Sequence, residues 1–195
     1  MNKVVNWEAF RSIIPRISRL AQEVKVEVIG MNMFVFTFTS FADRRRVFGR
    51  GPWSFDNALL VLEAPLGVGA VANMKFERVM FWVQIHNVPL ICMNKEACNY
   101  LGGLIGTMAD LDIGVAEECF GKYLRVRVWV DVTKLLKHFL RVAIEENMPE
   151  TVILIKYERL LDFCTHCGYI GHVVKDCLLS PVGVQCGVES SQFGL

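Results

Sequence analysis

The stretch YLRVRVWVD, residues 123–131, alternates aliphatic side chains with cationic or aromatic ones from residue 123 to residue 130. Successive side chains of a β-strand point to opposite faces of the sheet, so this period of two predicts a strand. One face of the strand is aliphatic and is expected to pack on helices, whereas the other mixes cations with aromatic rings. The aliphatic face consists of Leu124, Val126, Val128 and Val130, and the mixed face of Tyr123, Arg125, Arg127 and Trp129.

Further strand and helix patterns lie on both sides of this stretch. Residues 79–87, 108–113 and 152–157 are predicted as strands, residues 94–105 as a helix, and residues 134–141 as weakly helical or irregular. The order β-α-β-β-(α)-β over residues 76–160 indicates a ferredoxin-like α+β unit, the arrangement that RNA-recognition modules use. In such a sheet, strands 79–87 and 123–131 are central neighbours, which would bring Trp82 and His86 to the mixed face.

The first 64 residues are predicted to form a partial unit of the same kind. A helix is expected over residues 6–20, two strands around the turn at residues 30–32, a short basic helix opened by Asp43, and a strand at residues 58–62. The order α-β-β-α-β would match the second unit if one N-terminal strand were missing. The Pro- and Gly-containing residues 65–75 are predicted as a linker, and residues 179–195 as a flexible tail.

Composition limits the classes of protein that the chain can be. Its 195 residues are 53% hydrophobic and 21% charged, which is enough apolar material for a core and excludes wholesale disorder. The net charge of +1 gives no global basic signal for nucleic acid. Residues 1–64 nevertheless hold nine basic and six acidic side chains, whereas residues 161–195 hold one basic and three acidic. Any basic binding surface is therefore expected outside the C-terminal segment.

The sequence lacks the motifs that mark membrane proteins, secreted proteins and several classes of enzyme. The apolar runs are far shorter than the roughly 20 residues of a membrane span, and the N-terminus has no secretory apolar region. We therefore expect an intracellular protein of the nucleus or cytoplasm that is neither secreted nor membrane-bound. Neither a deaminase, hydrolase or Walker A motif nor a nuclease-like acidic triad is found, so we expect no enzymatic activity.

The spacing C-x2-C-x4-H-x4-C of Cys164, Cys167, His172 and Cys177 indicates a metal site. Three thiolates and one imidazole form a closed tetrahedral zinc site without an open position for a substrate water. One structural Zn²⁺ is therefore predicted. Because so short a segment buries no core of its own, metal binding would supply its folding energy.

Other cysteines and histidines leave alternatives to this assignment. Chance spacing of buried thiols is the alternative to a metal site, and His166 is a second candidate ligand with poorer spacing. Seven cysteines cannot all pair within one chain, so Cys92, Cys98 and Cys119 are expected to be small apolar core residues in a reducing compartment.

The same motif, with Gly168 and Gly171 inside it, resembles a CCHC zinc knuckle. More specifically, YERLLDFCTHCGYIGHVVKDC (157–177), FWVQIHNVPL (81–90) and LRVRVWVDVTK (124–134) resemble plant zinc-knuckle proteins derived from non-LTR retrotransposons. RRRVFGRGPWSFDNALLVLE (44–63) resembles the domain of unknown function that precedes the knuckle in those proteins. The resemblance implies a gag-like nucleic-acid-binding protein with zinc on the four motif residues. We expect this chain to be a shortened copy of a member of that family.

Three groups of residues are candidates for contact with nucleic acid. The sheet offers Trp82, His86, Tyr123, Arg125, Arg127 and Trp129; the basic helix offers Arg44, Arg45, Arg46 and Arg50; and the motif offers Tyr169, Ile170 and Lys175. Cations bind phosphates and aromatic rings stack on bases. Each group has an alternative role: buried tryptophans with solvated arginines, a solubilising helix face, and a tyrosine that only packs on the metal loop.

Two functions therefore remain open at the level of the sequence. The first is zinc-dependent, non-enzymatic binding of single-stranded RNA or DNA, weak from the metal loop alone. The second is a structural or protein-interaction module, capable of self-association, in which the metal loop acts as a folding clip. The low charge of the loop favours the second, whereas the mixed face and the family resemblance favour the first.

Overall fold

The computed structural model describes residues 5–6, 8–10, 20–65, 74–112, 119, 121–143, 150–161, 163–164 and 166–178. The chain is an α+β protein with antiparallel sheets and few helices in its described part. It divides into two compact units, Met1–Gly51 and Pro52–Leu195. In the part of the chain that the structure describes, no helix is both long enough and apolar enough to cross a membrane.

The first unit contains a β-hairpin and one helix. Strand β1 (Val24–Gly30) pairs with β2 (Met33–Phe38), and helix α1 (Phe41–Arg50) follows. The side chain of Ser40 caps α1 by accepting a hydrogen bond from the backbone N–H of Asp43. Residues 8–10 are helical, in agreement with the predicted N-terminal helix, but residues 11–19 of that prediction lie outside the described residues.

A buried carboxylate ties α1 to the segment that leads into β1. Asp43 is 2% exposed, and its Oδ2 accepts hydrogen bonds from the backbone N–H groups of Ala21 and Gln22 at 3.0 and 3.1 Å. Its Oδ1 lies 3.1 Å from the guanidinium of Arg46. A buried carboxylate needs such partners, because an unpaired buried charge is strongly destabilising.

The second unit is built on a five-stranded antiparallel sheet. Its strands are β5 (Arg78–His86), β6 (Thr107–Leu111), β7 (Tyr123–Asp131), β8 (Phe139–Val142) and β9 (Thr151–Tyr157), in the order β6-β7-β5-β9-β8. As predicted, the central strands β5 and β7 are neighbours, and their register pairs Trp82 with Arg127. Helix α2 (Lys95–Ile105) connects β5 to β6.

The aliphatic face of the sheet forms the core of this unit. In β7, Leu124, Val126, Val128 and Val130 are all buried, so the predicted alternation is confirmed. Phe81, Val83 and Ile85 of β5 complete the centre of the core, each 0% exposed. Cys98 and Cys119 belong to the same core, and Cys92 packs against it, as the sequence predicted.

The segment between β7 and β9 departs from the predicted plan. The second helix of the β-α-β-β-α-β order is absent from the described residues 132–143, where an irregular segment, residues 132–138, leads into β8. In this segment, Leu136 is buried in the core. The N–H of Leu136 donates to the carbonyl of Gly168, and the carbonyl of His138 accepts from the N–H of Ile155, so these groups do not form helical hydrogen bonds. Residues 138–142 alternate between half-buried and exposed positions, which is strand periodicity inside a short apolar run.

The strand predicted at residues 58–62 also belongs to a different structure. Strands β3 (Trp53–Phe55) and β4 (Ala58–Leu60) form a hairpin, and Asp56 and Asn57 occupy its turn with positive φ, as Asp and Asn readily do. Leu59 and Val61 pack against the core of the second unit, so this hairpin is not part of a partial sheet in the first. Residues 66–73 of the predicted linker and the whole predicted tail, 179–195, lie outside the described residues.

Two phenylalanines of the sheet test which face is the core. Phe81→Ala should lower the free energy of unfolding by about 3–5 kcal/mol, because Phe81 is fully buried. Phe139→Ala, at a position 40% exposed on β8, should change it by about 0.5 kcal/mol or less. Urea denaturation followed by tryptophan fluorescence measures both, and equal losses would contradict the assignment of the faces.

Candidate metal centre and the open face of the sheet

The four predicted metal ligands lie together on one compact loop, residues 163–178, the Cys/His loop. A backbone bridge between Phe163 and Ile170 closes its first half. Inside this turn the N–H of Gly168 donates to the carbonyl of Cys164 at 2.8 Å, and the N–H of Cys164 donates to the carbonyl of Tyr169 at 3.0 Å. A short 3₁₀ turn, Val174–Asp176, then brings Cys177 back toward the other ligands.

The ligand atoms have the separation that a single zinc ion requires. One atom each from Cys164, Cys167, His172 and Cys177 lies within 4.8 Å of every other, and the Sγ of Cys167 is 3.2 Å from the Nε2 of His172. Zn–S bonds of about 2.3 Å place two sulfur ligands of a tetrahedral ion about 3.8 Å apart, which matches this cluster. The residues therefore fit one closed, structural zinc site, in which Nε2 of His172 lies beside a sulfur ligand.

Zinc requires the thiols as thiolates, and the loop favours that form at one of them. Burial acts to raise the pKa of the Cys164 thiol, but backbone N–H groups of Cys167 and His166 lower it overall. Burial raises the pKa of Cys167, and the neighbouring sulfurs of Cys164 and Cys177 add to that increase. Bound zinc would offset the repulsion between these sulfurs.

Gly168 has two reasons to be glycine. Its φ of +78° lies in the left-handed region, which side chains with a Cβ rarely adopt. A Cβ added to it would also lie 2.9 Å from the Cδ2 of Leu135, inside normal contact distance. Gly171, with φ of +98°, has only the first reason.

The Cys/His loop is docked on the sheet unit instead of projecting from it. The carbonyl of Gly168 accepts a hydrogen bond from the N–H of Leu136 at 3.0 Å, and the rings of Phe163 and His138 have centroids 4.6 Å apart. Phe163 and Ile170 also pack against the core of the unit. The predicted nucleic-acid contact Ile170 is thus partly engaged in packing. Burial lowers the pKa of His138, which favours its neutral form in this contact.

The side of the sheet opposite the core is here called the open face. Its central positions are the predicted Trp82, His86, Tyr123, Arg125, Arg127 and Trp129, all half-buried. Register places further residues on the same face, because directly paired residues share a face. Lys156 lies opposite Gln84, Phe139 opposite Leu154, and Arg141 opposite Val152. Sequence reasoning missed Phe139, Arg141 and Lys156, although the alternation of residues 138–142 contained the signal for the first two.

Arg125 is held in a network of charges at the centre of the open face. Its Nε and one terminal nitrogen donate to the two carboxylate oxygens of Glu158, both at 2.8 Å, and the other terminal nitrogen donates to Asp112 at 2.8 Å. Gln84 donates to Glu158 at 2.9 Å. The hydrogen bond to Glu158 is the largest effect that raises the pKa of Arg125, and the same bond lowers the pKa of Glu158.

Two arginine side chains of the chain itself lie against an aromatic ring of the open face. The guanidinium carbons of Arg125 and Arg127 lie 4.0 and 5.2 Å from the ring centroid of Trp82, within cation–π range. His86 and Tyr123 have ring centroids 4.9 Å apart. The structure therefore brings the central residues together, and neither Trp82 nor Trp129 is fully buried or fully exposed.

The remaining predicted residues lie on α1 and on the Cys/His loop. Arg44 lies 5.7 Å over the ring of Phe48, Arg46 pairs with Asp43, and Arg45 and Arg50 are exposed. These four belong to the first compact unit, Met1–Gly51. On the loop, Lys175 is exposed and Tyr169 is half-buried.

Comparison with known proteins agrees with the geometry of the metal centre. Residues 130–179 match the zinc-knuckle family. The match begins in β7 and takes in β8 and β9, so it covers both the knuckle and the strands on which the knuckle docks. Residues 2–64 match the family described as a domain of unknown function, DUF4283, and that match extends past the boundary between the compact units.

Comparison with single proteins gives a plant relative. The chain is 25% identical over 138 residues to "Uncharacterized protein At4g02000" of Arabidopsis thaliana. The alignment covers 69% of this chain and 42% of that relative, so the matched region spans less than half of the relative's length. No solved structure matches.

Zinc content tests the assignment of the ligands. Purified protein should contain one zinc per chain by elemental analysis, and Cys167→Ser should lose it, because a serine hydroxyl does not replace a thiolate ligand. Cys92→Ser, at a cysteine outside the cluster, is the matched control and should keep the metal. Stoichiometric zinc in Cys167→Ser would refute the assignment.

Proposed function

We propose that this chain is a zinc-dependent, non-enzymatic protein that binds single-stranded RNA or DNA inside the cell, in the nucleus or cytoplasm. The observation that carries the proposal is that a zinc knuckle and a sheet face of cations and aromatic rings share one compact unit. Zinc knuckles commonly bind nucleic acids. The two matched families have the order that the sequence resemblance implies, a domain of unknown function before a zinc knuckle, and on that resemblance we further propose a retrotransposon origin.

The chemistry of the open face suits a single strand better than a duplex. A single strand exposes its bases, which stack on aromatic rings, and its phosphates, which bind cations. The open face offers both kinds of group within a few strands, with Tyr123 and Trp129 near Arg127 on β7. A flat sheet surface also lets several successive nucleotides lie side by side.

The connectivity of the sheet supports a relationship to RNA-recognition modules. Strands β6, β7, β5 and β9 are adjacent in that order, and α2 connects β5 to β6. These are the strand order and first crossover of a ferredoxin-like unit. In place of a second helix, residues 132–138 and the docked knuckle cover part of the core, so we propose a ferredoxin-like unit in which the knuckle takes over that structural role.

Nucleic-acid binding is expected to depend on zinc, because the knuckle is docked on the sheet unit. The knuckle contacts Leu136 and His138, and the strand β8 begins at the next residue, Phe139. Loss of zinc would release these contacts and disturb the adjoining part of the open face. Because few side chains of the knuckle are basic, we assign it a smaller direct contribution to phosphate binding.

Fluorescence anisotropy with labelled single-stranded RNA and DNA tests the proposal. Binding should weaken with salt, by about twentyfold between about 50 and 200 mM if three phosphates are contacted, and it should fall after removal of zinc. A scrambled-sequence strand of equal length is the control for sequence preference. The absence of salt-dependent binding up to high micromolar protein would exclude the proposal.

The packing of the knuckle against the sheet unit also favours a second function. A knuckle that packs through Phe163, Gly168 and Ile170 has the features of a folding clip in a structural or protein-interaction module. In that case the zinc-loaded chain would bind no nucleic acid, and light scattering would detect self-association. A monomer at all concentrations tested would contradict the self-association.

A further inference from the structure

The open face contains a second group of cations, away from its centre. Arg141 on β8 and Lys156 on β9 are exposed and lie on this face together with Phe139. These three residues are here called the edge strip, because β8 is the edge strand of the sheet. Phe139 and Arg141 are two positions apart on one strand, about 7 Å, so the strip is continuous.

The cations of the strip differ from those at the centre in their partners. Arg125 binds Glu158 and Asp112 through all of its nitrogens and lies over Trp82, so a phosphate would have to displace carboxylates to reach it. Among the described residues, neither Arg141 nor Lys156 forms an ion pair with a carboxylate. Within the residues that the structure describes, the strip therefore offers positive charge that no ion pair already occupies.

The charges next to the strip favour a polyanion as its ligand. Glu158, two residues after Lys156, is held in a bidentate pair with Arg125 and accepts a hydrogen bond from Gln84, so its carboxylate is directed toward the centre of the face. Burial lowers the pKa of His86, and the positive charge of Lys156 lowers it further, so Lys156 acts on this end of the face as a cation. The described positions of β8 and β9 on the open face include no carboxylate.

The third member of the strip supplies a surface for a base. Phe139 is 40% exposed, and it is absent from the hydrophobic core and from the residues packed against it. Its register partner is Leu154, and Lys156 is the next residue of β9 on the same face. An exposed aromatic ring between two cations is the combination that single-stranded nucleic acid recognises, by stacking and by phosphate pairing together.

We infer that the edge strip is the main contact for single-stranded nucleic acid, in which Arg141 and Lys156 bind phosphates and Phe139 stacks on a base. This inference rests on the function proposed above. It assigns Arg125, Glu158 and Trp82 a positioning role, because their mutual contacts fix the centre of the sheet. The strip also begins next to His138, the residue that touches the knuckle, so the strip is the part of the face most directly dependent on zinc.

Neutralisation of the strip tests the inference with the zinc-loaded full chain. The double variant Arg141→Gln/Lys156→Gln should weaken binding of labelled oligo(U) and oligo(dT) by about tenfold and reduce the slope of log affinity against log salt by about 1.4. The matched control is Lys75→Gln/Lys122→Gln, which removes the same charge from exposed positions outside β8 and β9 and should leave the slope nearly unchanged.

Phe139 provides an independent measurement of stacking. Phe139→Ala should weaken binding by about fivefold or more, whereas Phe139→Trp should preserve it, because both Phe and Trp stack on bases. Zinc content and the urea midpoint of each variant establish that the fold is retained. A larger loss with one probe would show that the ring distinguishes RNA from DNA, and equal losses would show that it stacks on both equally; both support the strip.

The outcomes separate this inference from the proposed function. If the wild-type chain shows no salt-dependent binding, the proposed function is wrong and the strip has no ligand of this class. If the wild type binds but the strip variants match the Lys75/Lys122 control, the strip is wrong and the function stands. In the latter case, Arg127→Gln would be the variant that weakens binding.

Discussion

The contact between Gly168 and residues 135–136 is the constraint that joins the Cys/His loop, the irregular segment and the start of β8. The Cys/His loop has too few apolar side chains to form a core alone, and zinc supplies its internal order. The positive φ of Gly168 turns its carbonyl toward the N–H of Leu136, and the missing side chain leaves room for Leu135. Through this contact, an irregular segment with no helix of its own is held over the core, and β8 starts in the correct register at its end.

The sequence predicted those features that depend on local periodicity or on fixed spacing. The alternation in residues 123–131 identified both faces of β7, and the four-residue motif identified the zinc ligands, because strand geometry and tetrahedral coordination leave few other arrangements. The segment at residues 134–141 was harder, since its apolar residues fit a weak helix as well as a loop that leads into a strand. Its backbone partners, Gly168 and Ile155, are distant in sequence, and periodicity contains no information about them.

The electrostatics of the open face likewise could not be predicted from sequence periodicity alone. Pattern alone identified Arg125, Arg127 and the tryptophans as a surface of cations and rings, and the structure brings them together. Pattern did not reveal that Glu158 and Asp112 already bind Arg125, because three segments must meet in register before that network exists. Among the described residues, two cations of this face without an ion pair, Arg141 and Lys156, lie on β8 and β9, and the pairing of those strands places them on the same face as Arg125. Positive charge on a surface thus indicates a binding site only after the acids of the same surface have been assigned.

Hydrogen exchange of the full chain, with zinc and after its removal by a chelator, tests the central claim most directly, namely that the metal loop holds the segment before β8 on the sheet. The account predicts that amides of residues 132–142 lose protection without zinc, because the bond from Leu136 to Gly168 and the packing of His138 on Phe163 are lost. Amides of the central strands β5 and β7, whose partners lie within the sheet, should remain protected. Equal protection of residues 132–142 in the two states would contradict the account.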